Sequence, residues 1–161
     1  FRPIRNQDKD ESVLLNVTVP IPVLAMNAHV ETVRPMQAKH ISEITTFFRK
    51  EYSLRYRMVE VMWAEFPEAC FIYQYQKKEE IVGVSFNKIQ GDELYMRQIF
   101  VREGCRGENV GSKLYQARLE YARQQGLKVA RAHVRKETFD FHTRFNAVIS
   151  GRKEKYIIRG I

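Results

Sequence analysis

The segment from Phe100 to Tyr115, FVREGCRGENVGSKLY, has the residue types of a phosphate-binding loop. Its three glycines let the backbone approach a ligand closely, and Arg106 carries a guanidinium group whose geometry matches phosphate oxygens. A helix predicted to begin near Val110 adds unpaired amide N–H groups and the positive end of its dipole. Ser112 offers a hydroxyl in the first turn. The segment therefore predicts a site for a phosphate-bearing ligand.

Two common nucleotide-binding patterns do not fit this loop. The Walker pattern, G-x-x-x-x-G-K-[ST], fails because the order here is Gly111-Ser112-Lys113. The dinucleotide fingerprint G-x-G-x-x-G fails because the glycines of the loop are spaced three and four residues apart. The ligand class must therefore be sought in the elements around the loop.

Hydrophobic periodicity and turn residues predict those elements. We expect an α/β (α+β) fold with a mixed, mostly antiparallel central sheet and helices on both faces. Residues 1–25 are interpreted as a leader in which 13–25 adds or covers an edge strand, and 26–161 as the main domain. The predicted order within that domain is a strand (29–34), two helices (39–52 and 54–66), a three-stranded meander (71–75, 81–88 and 93–101), a helix (110–125), a strand (127–134), a short helix (136–146) and two short strands around Gly151.

In this context the loop resembles the acyl-CoA-binding motif of the GNAT superfamily of N-acetyltransferases, [QR]-x-x-G-x-[GA]. Arg106 and Gly111 match the two ends of the motif. Asn109 stands where the family has its inner glycine, and Asn is the non-glycine residue that best tolerates a left-handed backbone. The element order from residue 29 onward also resembles that of the family.

The resemblance implies that the chain binds acetyl-CoA (coenzyme A) and transfers its acetyl group to an amine, which attacks directly in a ternary complex. The pantetheine arm would follow the strand at Ile99, Phe100 and Val101, where an amide N–H would also stabilise the oxyanion. The backbone of the loop and the helix start would hold the pyrophosphate; these residues are Arg106, Gly107, Glu108, Asn109, Val110, Gly111 and Ser112.

The resemblance also indicates which residue protonates the leaving thiolate. Many members use a tyrosine in a pattern like F-Y-x-x-x-G-F, and the run FHTRFNA places His142 at the tyrosine and Asn146 at the glycine. An imidazole of pKa about 6.5 can donate a proton to a thiolate whose acid has a pKa of about 8.5. His142 is therefore the predicted acid.

A general base is expected on the strand 93–101. The candidates are Glu93, Tyr95 and Arg97, with Tyr73 and Tyr75 on a neighbouring strand. Strand alternation predicts that Tyr95, Arg97 and Ile99 share one side. We favour Tyr95, whose hydroxyl can relay a proton through water. The histidines and cysteines have no metal-ligand spacing, so no metal site is expected.

Charge is distributed unevenly along the chain. The net charge is +8, and residues 81–161 hold 16 basic and 8 acidic side chains, whereas residues 1–80 hold 11 of each. This predicts an acidic partner for the second half, in part the cofactor and in part an acidic acceptor. No apolar run is long enough for a membrane span, and two cysteines favour a reducing compartment, the cytoplasm.

Two alternatives to an enzyme stay open at this point. A non-catalytic module of the same fold, binding CoA or a partner, is favoured by Asn109 and by the missing tyrosine. A basic nucleic-acid-binding domain is favoured by the charge, but the sequence has no RRM, KH or helix-turn-helix signature, so nucleic acid is the less favoured partner.

Overall fold

Among the described residues, strands and helices follow the predicted order. Residues 1–10 and 24–25 of the predicted leader, 29–32 of the first predicted strand and 54–57 of the second predicted helix lie outside the described residues. The computed structural model describes residues 11–23, 33–52, 58–74, 80–105, 109–150 and 154–157. Its strands are β1 (Glu11–Pro20), β2 (Val33–Pro35), β3 (Glu68–Gln74), β4 (Ile81–Gln90), β5 (Glu93–Val101), β6 (Val129–Arg135), β7 (Val148–Ile149) and β8 (Glu154–Ile157). Its helices are α1 (Ile41–Tyr52), α2 (Met58–Glu65), α3 (Val110–Gln124) and α4 (Phe139–Thr143).

The described strands form one mixed sheet in the order β2-β3-β4-β5-β6-β1-β7, with β8 also paired to β1. The pairs are antiparallel except for β5 with β6, which run parallel. This confirms the predicted mixed, mostly antiparallel sheet. The parallel pair is joined by α3, as a crossover connection requires.

Strand β1 lies inside the sheet and is not the edge strand expected for residues 13–25. It pairs with β6 on one side and with β7 and β8 on the other. Its sequence alternates with period two, so one face is buried in the core and the other carries Asn16 and Thr18. The buried residues of β1 are Leu15, Val17 and Val19.

Helices cover both faces of the sheet, as predicted. Helix α3 packs on one face, where Leu114 and Leu119 are fully or almost fully buried. Helices α1 and α2 pack on the other face, in a core that contains Phe48 and Phe86. Burying these apolar stripes supplies most of the driving force for the fold.

Strand β5 contains a β-bulge. Its pairing with β4 goes from Ile99 opposite Ser85 to Met96 opposite Asn87, so β5 has one residue more than β4 between these pairs. Such an extra residue reverses the alternation of side chains along the strand, because successive residues point to opposite faces.

The bulge changes which predicted site residues share a face. Tyr95, Arg97 and Phe100 contact the aromatic cluster beneath α1 and α2. Ile99 instead packs against the clusters on the α3 face. The prediction that Tyr95, Arg97 and Ile99 share one side is therefore wrong for Ile99, since it assumed an unbroken alternation.

Candidate functional site

The sheet opens between the parallel strands β5 and β6. They pair from Glu93 opposite Val129 to Tyr95 opposite Arg131. Beyond this point β5 continues to Val101 alongside β4, and β6 continues alongside β1. The carboxyl ends of parallel strands that separate in this way form the usual ligand crevice of α/β sheets. The predicted residues Ile99, Phe100 and Val101 border this opening.

Helix α3 begins beside the same opening. Asn109 precedes it with φ 63° and ψ 17°, which is left-handed backbone. The first bond of the helix is donated by the Lys113 N–H to the Asn109 carbonyl, at 2.9 Å. The N–H groups of residues 110–112 precede that bond and are available to an anion at the helix N-terminus. Residues Arg106, Gly107 and Glu108 lie outside the described residues, so their predicted role stays a prediction.

Gly111 keeps the space next to the helix start clear. A β-carbon at this position would lie 3.6 Å from the Phe141 ring and 3.9 Å from Val101 Cγ2, both ordinary contact distances. A methyl group would therefore fit the protein itself but would fill the space between α3, β5 and α4. Glycine at this position thus leaves the main chain of the helix start open to close approach by a ligand.

Gly83 is a site-supporting residue that the sequence reasoning missed. A β-carbon there would lie 2.7 Å from Val110 Cγ1 and 3.0 Å from Leu114 Cδ1. Glycine at this position of β4 thus allows the first turn of α3 to pack directly on the sheet. A glycine inside the apolar strand IVGVSF was the available signal, because such glycines mark a close approach.

The predicted acid, His142, is hydrogen-bonded to Tyr115 of α3. The Tyr115 hydroxyl lies 2.8 Å from His142 Nδ1, and Tyr115 is completely buried. Its ring stacks on Phe145, with the ring centres 3.9 Å apart. Below it, the fully buried Arg118 places its guanidinium carbon 4.2 Å from the centre of the Tyr115 ring.

Burial changes the acid–base properties of His142. Desolvation, and secondly the charge of Arg118, lowers the pKa of His142 from 6.5 to about 4. At neutral pH the imidazole is therefore neutral. The sequence-based argument used an imidazolium of ordinary pKa, which this environment does not support.

Arg118 also connects this cluster to the bulge of β5. It donates to the Arg97 carbonyl at 2.8 Å and to Asn87 Oδ1 at 3.1 Å. Burial lowers the pKa of Arg118 to about 10, so it stays a cation at neutral pH. The same side chain thus fixes the backbone at the opening and supplies positive charge beside Tyr115.

The predicted base, Tyr95, lies on the opposite face of the sheet from Tyr115. Its hydroxyl is 3.2 Å from Nδ1 of His133, a β6 residue to which the sequence analysis gave no role. Alternation along β6 buries Ala130, Ala132 and Val134 and turns His133 to the face of Tyr95. The alternation in the sequence of β6 could have shown which face His133 occupies. Its contact with Tyr95 could not be foreseen, because it depends on the register of the parallel strands β5 and β6.

Other base candidates are engaged elsewhere. Glu93 forms an ion pair with Arg131, at 2.7 Å between Oε1 and Nε. The Arg131 guanidinium donates also to the hydroxyl of Thr18. Tyr75 lies outside the described residues, and the Tyr73 hydroxyl accepts from Lys113 at 3.4 Å.

The family-level comparison agrees with this geometry. Residues 38–145 match the model of the acetyltransferase (GNAT) family, which is more than half of the chain. The chain belongs to the GNAT acetyltransferase family. No curated protein matches its sequence significantly.

Solved structures of GNAT proteins share the fold. The chain is similar to a GCN5-related N-acetyltransferase from Sphaerobacter thermophilus (TM-score 0.74, 14% identity), over 99% of this chain and 53% of that one. It is similar to a GNAT-family acetyltransferase from Colwellia psychrerythraea (0.69, 11%), over 92% and 57%. Ard1 from Thermoplasma volcanium (0.63, 20%) is matched over 79% of this chain and 97% of that one. The chain thus spans little more than half the length of the first of these relatives.

Two asparagines of this GNAT chain occupy positions where the family pattern has glycine. Asn109 has φ 63° and Asn146 has φ 66°, and these are the non-glycine residues with positive φ among those described. The expectation that Asn109 adopts left-handed backbone is confirmed. The left-handed backbone at these two positions is therefore adopted without a glycine.

Within the described part of the chain, no group of three or more His, Cys, Asp or Glu residues is arranged to hold a metal ion. None of its helices has the length and apolar character required to cross a membrane.

Proposed function

We propose that this GNAT chain is an acetyl-CoA-dependent N-acetyltransferase that acts by direct attack of an amine in a ternary complex. The observation that carries the proposal is the opening between β5 and β6 with the start of α3 at its side. The start of α3 offers backbone amides to an anion, and the free part of β5 offers a strand edge to an extended pantetheine arm. Holding both substrates in line supplies much of the rate enhancement of such a reaction.

The residues beside the opening fit the cofactor. The amides of residues 110–112, with those predicted at 106–109, would hold the pyrophosphate, and Gly111 leaves room for it. The main chain at Ile99, Phe100 and Val101 would hold the pantetheine arm and polarise the acyl carbonyl. Acetyl-CoA would supply an activated thioester.

Tyr95 and His133 are the proposed route for the proton of the acceptor amine. The 3.2 Å contact lets the Tyr95 hydroxyl exchange a proton with the imidazole. The pair lies where β5 and β6 separate, on the face opposite His142. Base and acid would thus act from the two sides of the opening, which suits a thioester lying between the strands.

Two cations near Tyr95 favour an acceptor that carries negative charge next to its amine. Lys88 Nζ lies 5.0 Å, and the guanidinium carbon of Arg97 5.1 Å, from the centre of the Phe66 ring. Phe66 in turn stacks on Tyr95, with ring centres 6.0 Å apart. Nearby Arg131 is neutralised by Glu93, whereas no carboxylate of the described residues pairs with Lys88 or Arg97.

Calorimetry with acetyl-CoA, followed by an acceptor panel, tests the proposal. Each acidic peptide in the panel has a partner in which the Asp and Glu residues next to the N-terminal amine are replaced by Asn and Gln. We expect binding of acetyl-CoA and faster acetylation of the acidic member. Arg97→Gln should reduce that preference, while Arg49→Gln, an equal loss of charge on the exposed surface of α1, should leave it unchanged.

The alternatives to an acetyltransferase predict different outcomes in the same experiment. Binding of acetyl-CoA without transfer to any amine would favour a non-catalytic module. Failure to bind at millimolar acetyl-CoA would remove the proposed function. Equal rates for acidic and amide peptides would remove only the anionic acceptor.

A further inference from the structure

Arg118, Tyr115 and His142 form a contiguous cluster in which Arg118 lies over the Tyr115 ring and the Tyr115 hydroxyl is hydrogen-bonded to His142. The Tyr115 hydroxyl can place its proton only on a nearby acceptor, because it is completely buried, and His142 Nδ1 lies 2.8 Å away. The guanidinium carbon of Arg118 lies 4.2 Å from the centre of the Tyr115 ring. The rings of Phe141 and Phe145 pack on Tyr115 and hold this cluster of three side chains from outside.

The direction of this hydrogen bond and the position of the His142 proton are linked. A neutral imidazole has one N–H donor and one acceptor nitrogen. When Nδ1 accepts from the Tyr115 hydroxyl, the proton must be on Nε2. His142 then presents an N–H donor on the side away from Tyr115.

We propose that Tyr115 is a positioning residue for acetyl transfer, which fixes His142 as the Nε2–H tautomer and resupplies the proton that His142 gives to the leaving thiolate. This inference rests on the proposed function, and it assigns a role to a residue outside the family pattern quoted above. His142 is the catalytic acid of the pair, because it alone would touch the sulfur.

The proton transfers balance without an imidazolium. As the tetrahedral intermediate collapses, the C–S bond breaks and the sulfur takes the proton from Nε2. Nδ1 takes the Tyr115 proton, so His142 stays neutral throughout and a tyrosinate is left beside Arg118. After the thiol leaves, a proton from solvent reaches Nε2 and Nδ1 returns its proton to Tyr115, which restores both groups. This proton balances the one that the acceptor amine releases to solvent on the other side of the opening.

The charges around the pair act on both residues. Burial raises the pKa of Tyr115, and the charge of Arg118 only partly opposes that rise, so the phenol keeps its proton at neutral pH and a tyrosinate forms only transiently. Two groups of α3, Tyr115 and Arg118, face His142. The charged groups near it on α4 are the exposed Asp140 and, just beyond the helix, Arg144. The charge of Arg118 also disfavours a second proton on the imidazole, which keeps Nδ1 free to accept.

Tyr115→Phe is the direct test, with Tyr121→Phe on the same helix as the matched control. The first variant removes the hydroxyl and keeps the stacked ring. In the unliganded protein, 15N chemical shifts of the His142 ring should show the Nε2–H tautomer in wild type and a mixture in Tyr115→Phe. The kcat should fall about 10- to 100-fold, up to the lower end of the roughly 100- to 10,000-fold contribution of acid–base catalysis, because His142 itself is retained, and the KM for acetyl-CoA should change little. Tyr121→Phe should change neither.

A second variant separates the relay from a packing effect. His142→Gln can hydrogen-bond to Tyr115 but cannot pass a proton along, so we expect a similar fall in kcat. Combining it with Tyr115→Phe should cause no further loss, because the two residues act as one unit. Additive losses would overturn the relay even if Tyr115→Phe were partly unfolded, and so would an Nδ1–H tautomer in wild type.

The proposed function and the relay fail in different ways. Wild-type protein that has the Nε2–H tautomer but acetylates no amine contradicts the function, and with it the positioning role of Tyr115 in acetyl transfer. Active enzyme whose kcat is unaffected by Tyr115→Phe contradicts the relay alone.

Discussion

Gly83 of β4 lies directly under Val110 of α3, so close that a β-carbon at residue 83 would be 2.7 Å from Val110 Cγ1. Val110 is branched at Cβ and 1% exposed, so it has little freedom to move aside. We expect Gly83→Ala to lower the free energy of unfolding by about 1–3 kcal/mol, as overpacking usually does. Urea denaturation measures this.

Gly104→Ala is the control for this substitution, because a β-carbon at Gly104 meets nothing within 4 Å. If both variants have the same stability, the close packing of β4 on α3 is contradicted. A displaced first turn should also weaken acetyl-CoA binding by Gly83→Ala, since the same turn supplies the amides of residues 110–112.

Gly111→Ala should affect stability and binding in opposite directions. Its methyl group makes only ordinary contacts with Phe141 and Val101, and alanine favours the helix by about 0.5–1 kcal/mol. Stability should therefore be equal or higher. Acetyl-CoA affinity should fall about tenfold, because the methyl group fills the space beside the amides. This corresponds to a loss of about 1.4 kcal/mol of binding free energy.

Calorimetry and thermal unfolding of the same Gly111→Ala sample provide both measurements. Gln116→Ala, further along α3, is the control for an added alanine. Unchanged affinity in Gly111→Ala would mean that the pyrophosphate does not approach this turn.

Asn109 and Asn146 provide a matched pair of asparagine-to-glycine substitutions. Both have positive φ, and the side chain of Asn109 makes no capping hydrogen bond. Glycine removes the residual strain of the left-handed backbone in each, so neither variant should be less stable by more than a few tenths of a kcal/mol.

Only Asn109→Gly should change acetyl-CoA affinity. It removes side-chain bulk from the loop proposed to hold the cofactor, and we expect binding to tighten a few-fold in calorimetry. Asn146→Gly lies after α4 and should leave the affinity unchanged. Equal changes in both variants would indicate that backbone flexibility, and not side-chain bulk, sets the affinity.

Local patterns predicted much of the fold. The meander, the helix from Val110 and its end before Gly126, which has φ 71°, all follow from periodicity and turn residues within a few positions. The left-handed backbone of Asn109 followed from the chemistry of a single residue type. Such features depend on neighbours in sequence, which is why they are legible without a structure.

Features that depend on pairing were missed. The bulge that separates Ile99 from Tyr95 is a property of the β4–β5 register, and nothing in ELYMRQIFV marks it. The place of β1 inside the sheet depends on a partner strand more than 100 residues away along the chain. The contact of Tyr95 with His133 likewise joins two strands that are far apart in sequence.

The electrostatics of the site were missed for the same reason. Nothing near His142 in sequence indicates that Arg118 and Tyr115 lie beside it. Sequence reasoning therefore gave His142 an ordinary pKa, and the three-dimensional packing lowers it.

His142 provides a pH-dependent test of that packing. Its pKa is about 4 in the folded protein and about 6.5 when unfolded, so between these values the unfolded chain binds more protons. The free energy of unfolding should therefore be insensitive to His142 above about pH 6.5 and should decrease as the pH falls toward 4. Burial lowers the pKa of His40 too, so wild type alone cannot separate the two histidines.

Comparing wild type with His142→Gln isolates the contribution of His142. Between about pH 6.5 and 4, stability should fall more steeply in wild type than in the variant, because only wild type must keep that imidazole neutral. An NMR titration of the His142 ring should show no protonation between pH 6 and 8. A midpoint near 6.5 would mean that the imidazole is not desolvated by the Tyr115 and Arg118 cluster, and the acid role would return to an ordinary imidazolium.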